Sequence, residues 1–209
     1  MSLDFFINAF TTLFVTIDPI GLVPIFLAMT TGMAAKDRRA IAYRASAIAF
    51  AILVVFIVAG NAALDVLGIS IPAFRIAGGM LLFWTAFEMV FEKRQQRKSQ
   101  TAEKAVGEEN HADLAVFPLA IPLISGPGSI SASMLLATKA PDWIAVAGLI
   151  AIIVVLIVLV LMAFLLASAI DRHMGPTVQT VLTRLLGVLL AALAVQFVAE
   201  GVLSFKLPG

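Results

Sequence analysis

The chain has 209 residues, 61% of them hydrophobic and only 13% charged, with a formal net charge of +1. Soluble domains carry about 25% charged residues, and a mean hydropathy of +1.06 excludes an ordinary water-soluble core. There is no cysteine, which excludes disulfides and thiolate metal sites. The N-terminal "MSLDFF" lacks the basic region of a cleaved signal peptide, so Phe5 onward reads as mature protein.

A bilayer core about 30 Å thick needs roughly 20 apolar residues as helix. Six segments qualify in chain order: 5–31, 42–64, 69–91, 114–138, 143–169 and 180–203. Each is apolar around its whole circumference, unlike the one-sided stripe of a soluble surface helix. The expected fold is therefore an all-α membrane protein with six transmembrane helices.

The charges orient these spans. Lys36, Arg38, Arg39, Arg44, Lys93, Arg94, Arg97, Lys98, Lys104 and Arg172 fall on one side, against Lys139 and Lys206 on the other. By the positive-inside rule both termini lie outside, periplasmic in a bacterial inner membrane, and the 92–113 segment is cytoplasmic. That segment, "EKRQQRKSQTAEKAVGEENHAD", interleaves acids with bases and reads as a solvated tether. It divides the chain into a first three-span unit, 1–91, and a second, 114–209.

The two units resemble each other. At an offset of 108, "DPIGLVPIFLAMT" falls on "GPGSISASMLLAT", so Pro19 meets Pro127 and Thr30 meets Thr138. At an offset of 109, "RIAGGMLL" falls on "RLLGVLLA", so Arg75 meets Arg184 and Gly78 meets Gly187. An odd number of spans per unit makes this a 3+3 inverted repeat, an architecture of secondary transporters.

Spans one and four carry helix-breaking residues. Pro19 and Pro24 surround Gly21 in the first; Pro118, Pro122 and Pro127 stand with Gly126 and Gly128 in the fourth. Proline lacks the N–H a helix interior needs, so both helices are expected to open. Freed backbone groups cannot face lipid and are tolerated where they line a cavity or contact protein. A half-helix starting at a break points its positive end at the opening and suits a carboxylate. Carbonyls before the break, with Asp18, suit a cation or an ammonium group. Asp18 is also the candidate for proton or cation coupling, because carboxylates in apolar surroundings tend to titrate at raised pH.

The candidate substrate-binding residues are thus Asp18, Pro19, Gly21, Arg75, Ser125, Gly126, Gly128, Ser129 and Arg184, with Pro19, Pro24, Pro122 and Pro127 as the breakers. Arg75 and Arg184 are placed to bind a carboxylate, to pair with Asp18, or to snorkel to the interface. Asn61 and Gln196 read as helix-joining groups, Glu88 and Glu200 as interfacial, and Ser131 and Ser133 as weaker candidates than Ser125 and Ser129. Met80 and Met89 read as lipid or helix contacts. His111 and His173 lie in connecting stretches without metal-ligand spacing. No nucleotide loop or nucleophile–base pair occurs; "RIAGGM" lacks the spacing and the Lys-Ser/Thr of a phosphate loop. Neither an enzyme nor a cofactor, metal or nucleic-acid partner is expected, and a homo-oligomer is left open.

"DPIGLVPIF", "GISIPAFRIAGGMLLF" and "FPLAIPLISGPGSI" together resemble the signature segments of the MarC family of bacterial and archaeal inner-membrane proteins, over nearly the whole chain. The resemblance implies a six-span protein of the LysE-type transporter superfamily, some relatives of which carry small neutral amino acids such as glycine and alanine. Onto this chain it carries Asp18, Pro19, Gly21, Pro24, Arg75, Gly78, Gly79, Pro122, Gly126, Pro127 and Gly128, without ligand-contact assignments. The expected function is a secondary transporter of small neutral amino acids with a midplane site between the two breaks. The rivals are a channel-like pore or exporter for another small solute, and a non-transporting membrane scaffold.

Overall fold

The structure is a computed structural model that describes residues 3–106, 113–173 and 175–205. Among these residues all regular structure is helical. The helices are α1 (Leu3–Ile17), α2 (Val23–Met29), α3 (Ala35–Val66), α4 (Ile71–Val90) and α5 (Lys93–Val106). After an irregular coiled stretch, Asp113–Ala115 and Val116–Ile124, come α6 (Pro127–Ala137), α7 (Trp143–Leu165), α8 (Ala167–His173) and α9 (Pro176–Ser204).

Four of these helices, α3, α4, α7 and α9, are long and apolar enough to cross a membrane. The stretch Val116–Ile124 and α6, bent by 52° at their junction, add a fifth if they are taken as one span. The segment expected as span one is divided: α1 is a 15-residue apolar helix and α2 has seven residues. The long helices start where local chemistry allows. Ser70 Oγ accepts from Ala73 N at α4, and Asp142 Oδ1 accepts from Ala145 N at 2.8 Å at α7; both satisfy a first-turn N–H that has no intrahelical partner. Pro72 and Pro127 sit in the first turns of α4 and α6, where a missing N–H is harmless.

The core lies where α3 packs on α7 and the shorter α1, α2 and α6 fill between them. Leu13, Ile17, Leu53, Leu119, Leu135, Leu149 and Val160 are fully buried there. Phe26 stacks on Phe164 with ring centroids 4.3 Å apart, tying α2 to α7. The α4–α9 pair forms a second unit against α1 and α6. Its close crossing depends on glycines, Gly79, Gly187 and Gly201. A Cβ on Gly79 would sit 2.7 Å from Val198 and 3.0 Å from the Ala194 carbonyl; one on Gly187 would meet Met89, Val90 and the Ala86 carbonyl. Outward faces carry large apolar side chains, among them Val154, Val155, Val158, Leu185, Val188 and Leu189. Such continuous apolar surface suits lipid and not water.

One expectation is corrected here. The 92–113 segment is not a solvated tether over its first part: Lys93–Val106 is a helix, packed on α2, α4 and the second break. Its Arg94 and Lys98 are each only 6% exposed. The acid–base interleaving hid this, because the bases that point inward recur at four-residue spacing and share one helix face. The later part of the segment, with His111, lies outside the described residues.

Candidate functional site

At the first break α1 ends at Ile17 and Asp18 takes the left-handed conformation, φ +60°. Its carboxylate folds back, Oδ1 accepting from Gly21 N at 3.0 Å. This compensates the strained turn locally, as aspartate side chains do in turns. A Cβ at Gly21 would lie 2.2 Å from Asp18 Oδ2 and displace that carboxylate from its place in the turn.

Helix α5 then closes the break. The Arg94 guanidinium donates to the Val15 and Thr16 carbonyls and to Met89 Sδ. Gln95 Nε2 donates to the Gly21 carbonyl at 3.2 Å. Lys98 Nζ faces Asp18 Oδ2 at 3.5 Å, both groups buried. The freed carbonyls, expected to attract a cation or substrate ammonium, are therefore already served by side chains of the same chain. Burial, reinforced by the neighbouring Arg94, lowers the Lys98 ammonium from 10.5 to about 7, against the opposing pull of Asp18.

The second break is built differently. Phe117 and Ile121 adopt extended backbone angles within Val116–Ile124, and the Phe117–Pro118 and Ile121–Pro122 bonds are cis. Helix α6 restarts after Gly126, with no side chain capping it. Its first-turn N–H groups at Gly128 and Ser129 have no intrahelical acceptor. They border a cavity of about 240 Å³ lined by Thr85 of α4, by Arg94, Arg97, Lys98 and Thr101 of α5, and by Pro122, Leu123 and Gly126–Ser129. Behind the cationic wall stand the acids: Glu88 meets Arg97 at 2.9 Å, and Asp18 meets Lys98.

Of the residues singled out from sequence, Gly126, Pro127, Gly128, Ser129 and Pro122 line this cavity. Asp18, Pro19 and Gly21 are buried behind α5. Ser125 turns away, its Oγ donating to the Ala49 carbonyl of α3. Arg75 does not meet Asp18: it donates to Thr138 Oγ1 and to the Thr138 carbonyl, at the C-terminal end of α6. Arg184 does not either, pairing with Glu92 on the exposed surface. Asp18's partner is Lys98, which sequence reading had placed in solvent. Glu88, expected at the interface, is buried on Arg97. Gln196 and Lys139 both engage Glu200. Asn61 borders a separate cavity of about 550 Å³ with Asp65 and Asp142, its Oδ1 buried without a hydrogen-bond partner. Among the described residues no cluster of three or more His, Asp or Glu is arranged to hold a metal ion.

The sequence profile described as "MarC family integral membrane protein" matches residues 3–205. The chain belongs to the MarC family. Relatives share about a third of its residues over nearly full length. A UPF0056 membrane protein of Archaeoglobus fulgidus is 36% identical over 200 residues, covering 95% of this chain and 92% of the relative. The UPF0056 membrane protein YvbG of Bacillus subtilis is 35% identical, covering 96% and 95%. YhcE of Escherichia coli, another UPF0056 membrane protein, is 33% identical, covering 92% and 89%. No solved structure matches the chain. This MarC-family chain is an integral, multi-pass membrane protein, and the relatives' names carry no activity beyond that.

Proposed function

We propose that this MarC-family protein is a secondary transporter of a small carboxylate-bearing solute, built as six spans in a 3+3 inverted repeat. Span one is α1 with α2, and span four is the bent pair ending in α6. Both termini are periplasmic and α5 lies on the cytoplasmic side of a bacterial inner membrane, following the charge bias. The observation that carries the reading is the second break: an uncapped α6 N-terminus facing a hollow of about 240 Å³. That volume lies below the roughly 300–1,000 Å³ of drug-sized pockets and suits a small solute. Small neutral amino acids, the class implied by the family resemblance, carry the required carboxylate.

Several contacts support the repeat. Gly79 packs on Ala194 and Val198, while Gly187 packs on Ala86 and Val90. Gly79 and Gly187, Ala86 and Ala194, and Val90 and Val198 each stand 108 positions apart, so the α4–α9 crossing is self-reciprocal. The same offset relates the ends of α2 at Met29 and α6 at Ala137, each followed by threonine at the cap. These contacts favour 108 over 109 for this part of the repeat and pair Gly187 with Gly79 in place of Gly78.

The test is uptake of labelled glycine, alanine and small carboxylates into proteoliposomes. Gly128→Val, which pushes a side chain toward Thr85 at the cavity wall, is expected to abolish saturable flux while the protein stays folded. Undiminished flux in that variant removes the site from the transport path. Asp18→Asn tests coupling: full ion-driven accumulation there excludes Asp18 as the coupling group. Steady conductance far above carrier turnover would favour the pore reading instead, and absence of any saturable ligand the scaffold.

A further inference from the structure

The cavity has a lopsided charge pattern that the carboxylate argument alone does not use. Its wall presents three cationic side chains, Arg94, Arg97 and Lys98, and no carboxylate. The two nearby acids are spent behind that wall, Asp18 on Lys98 and Glu88 on Arg97. Among the described residues at this cavity, basic side chains outnumber the acids beside them, so the lining is biased toward positive charge. The Lys98–Asp18 separation of 3.5 Å is also longer than the 2.7–2.9 Å of a close charge-assisted hydrogen bond. Opposite the cations, the free N–H groups at the start of α6 add the positive end of an 11-residue helix. A zwitterion entering here finds charged partners for its carboxylate and no carboxylate in the lining for its ammonium. An anion satisfies the whole wall.

We propose that this cavity binds the carboxylate or phosphate group of a solute with net negative charge, gripped between Arg97 and Lys98 on α5 and the Gly128 and Ser129 N–H groups of α6. The proposal rests on the transporter reading for its biological role, narrows the substrate class from carboxylate-bearing solutes to those with net negative charge, and is independent of transport in its test. The crowding of the bases supports it: burial first, then Arg94 and, more weakly, Arg97 disfavour the proton on Lys98 against the pull of Asp18, and a bound anion relieves the part due to the arginines. Arg97 is the most accessible of the three, its side chain 53% exposed, as expected of the group that meets an arriving ligand.

The experiment is calorimetric titration of the purified full-length protein with malonate, inorganic phosphate and glycine in low-chloride buffer. Malonate or phosphate is expected to bind at least about tenfold more tightly than glycine, the worth of one charge-assisted contact. Arg97→Gln should weaken anion binding by about the same factor, and Arg97→Lys should restore part of it. Glu88→Gln frees Arg97 from its counterion and should strengthen anion binding, an effect opposite in sign to misfolding. Glycine binding as tightly as malonate overturns the proposal, as does anion affinity unchanged in both Arg97→Gln and Glu88→Gln. Charge-selective binding without flux of any solute would uphold this site and sink the transporter reading; glycine flux without anion binding would do the reverse. Repeating the titration in phosphatidylglycerol and phosphatidylcholine nanodiscs separates the sources. Competition by phosphatidylglycerol alone supports the anion site with a lipid phosphate as occupant, and equal affinity in both supports a free solute.

Discussion

The two breaks begin from the same instruction and end differently. Each places a proline at a matching position, Pro19 and Pro127, and each is followed by a helix that stops at a threonine. The residue before that proline differs: Asp18 in the first, Gly126 in the second. Asp18 uses its own carboxylate to hold the turn at Gly21, and the buried charge then requires a counterion, which α5 brings as Lys98. Gly126 has no side chain, and α6 begins uncapped. A Cβ at Gly126 would lie 2.6 Å from the Pro122 carbonyl, so the open geometry depends on glycine. One break is sealed by side chains of α5 and the other borders a cavity.

The largest test of this contrast is Arg94→Ala. It strips the seal from the first break, leaving the Val15 and Thr16 carbonyls without their donor. It also removes one of the cations that balance Asp18 and Glu88 in the interior. Losing one member of a buried charged network costs about 3–5 kcal/mol. The expected result is a large drop in the denaturation midpoint in detergent titrations, with near-wild-type stability excluding Arg94 as the seal.

Next comes the pH response of Lys98. The unfolded lysine titrates near 10.5 and the folded one near 7. Below pH 7 both forms are protonated and this group adds no pH dependence. Between about 7 and 10.5 the unfolded chain holds a proton the folded chain has shed, so stability should rise with pH. Lys98→Arg keeps a cation on Asp18 that stays protonated throughout, and should flatten that rise. Melting temperatures across pH 6–10 check it, and a parallel rise in the arginine variant would assign the effect elsewhere.

The two glycines give a smaller, paired effect. Gly126→Ala drives a methyl into backbone, the Pro122 carbonyl, and overpacking of that kind costs typically about 1–3 kcal/mol. Gly21→Ala meets the Asp18 carboxylate, a side chain that can swing away. It should therefore cost less in stability while breaking the Asp18–Gly21 bond. Equal losses in the two variants would mean that the first break is as rigidly built as the second.

The breaks themselves were legible in the sequence, since Pro19, Gly21, Pro122 and Gly126–Gly128 announce the loss of helical hydrogen bonds without reference to anything distant. The apolar runs of α3, α4, α7 and α9 were equally plain, because lipid burial demands them residue by residue. The seal was not. Arg94, Gln95 and Lys98 lie in a hydrophilic stretch whose composition suits solvent, and only the tertiary arrangement brings the first two to carbonyls, and Lys98 to the Asp18 carboxylate, 74 to 80 positions earlier. Their four-residue spacing was the one available sign, and charged helices on protein surfaces show the same spacing. For Arg75 and Arg184 the sequence left open a carboxylate, Asp18 or the interface as the partner. Neither meets Asp18: Arg75 finds the end of α6 and Arg184 finds Glu92.

That last pair supplies the finest comparison. Arg75 and Arg184 both stand inside apolar helices, but only Arg75 grips a helix end, donating to the carbonyl and hydroxyl of Thr138. A cation at a helix C-terminus contributes about 0.3–1 kcal/mol, more when partly buried, and Arg75 is half-buried. Arg184 makes an exposed ion pair with Glu92, of a kind whose median worth is about 0–1 kcal/mol and which salt screens. Arg75→Gln should lower the denaturation midpoint measurably and keep doing so in high salt, because the lost contact is to a sheltered helix end. Arg184→Gln should stay close to wild type, with any difference vanishing as salt is raised. If the two variants behave alike in both conditions, the helix-end contact contributes nothing beyond a surface ion pair, and α6 is held in place by its packing on α1, α3 and α4.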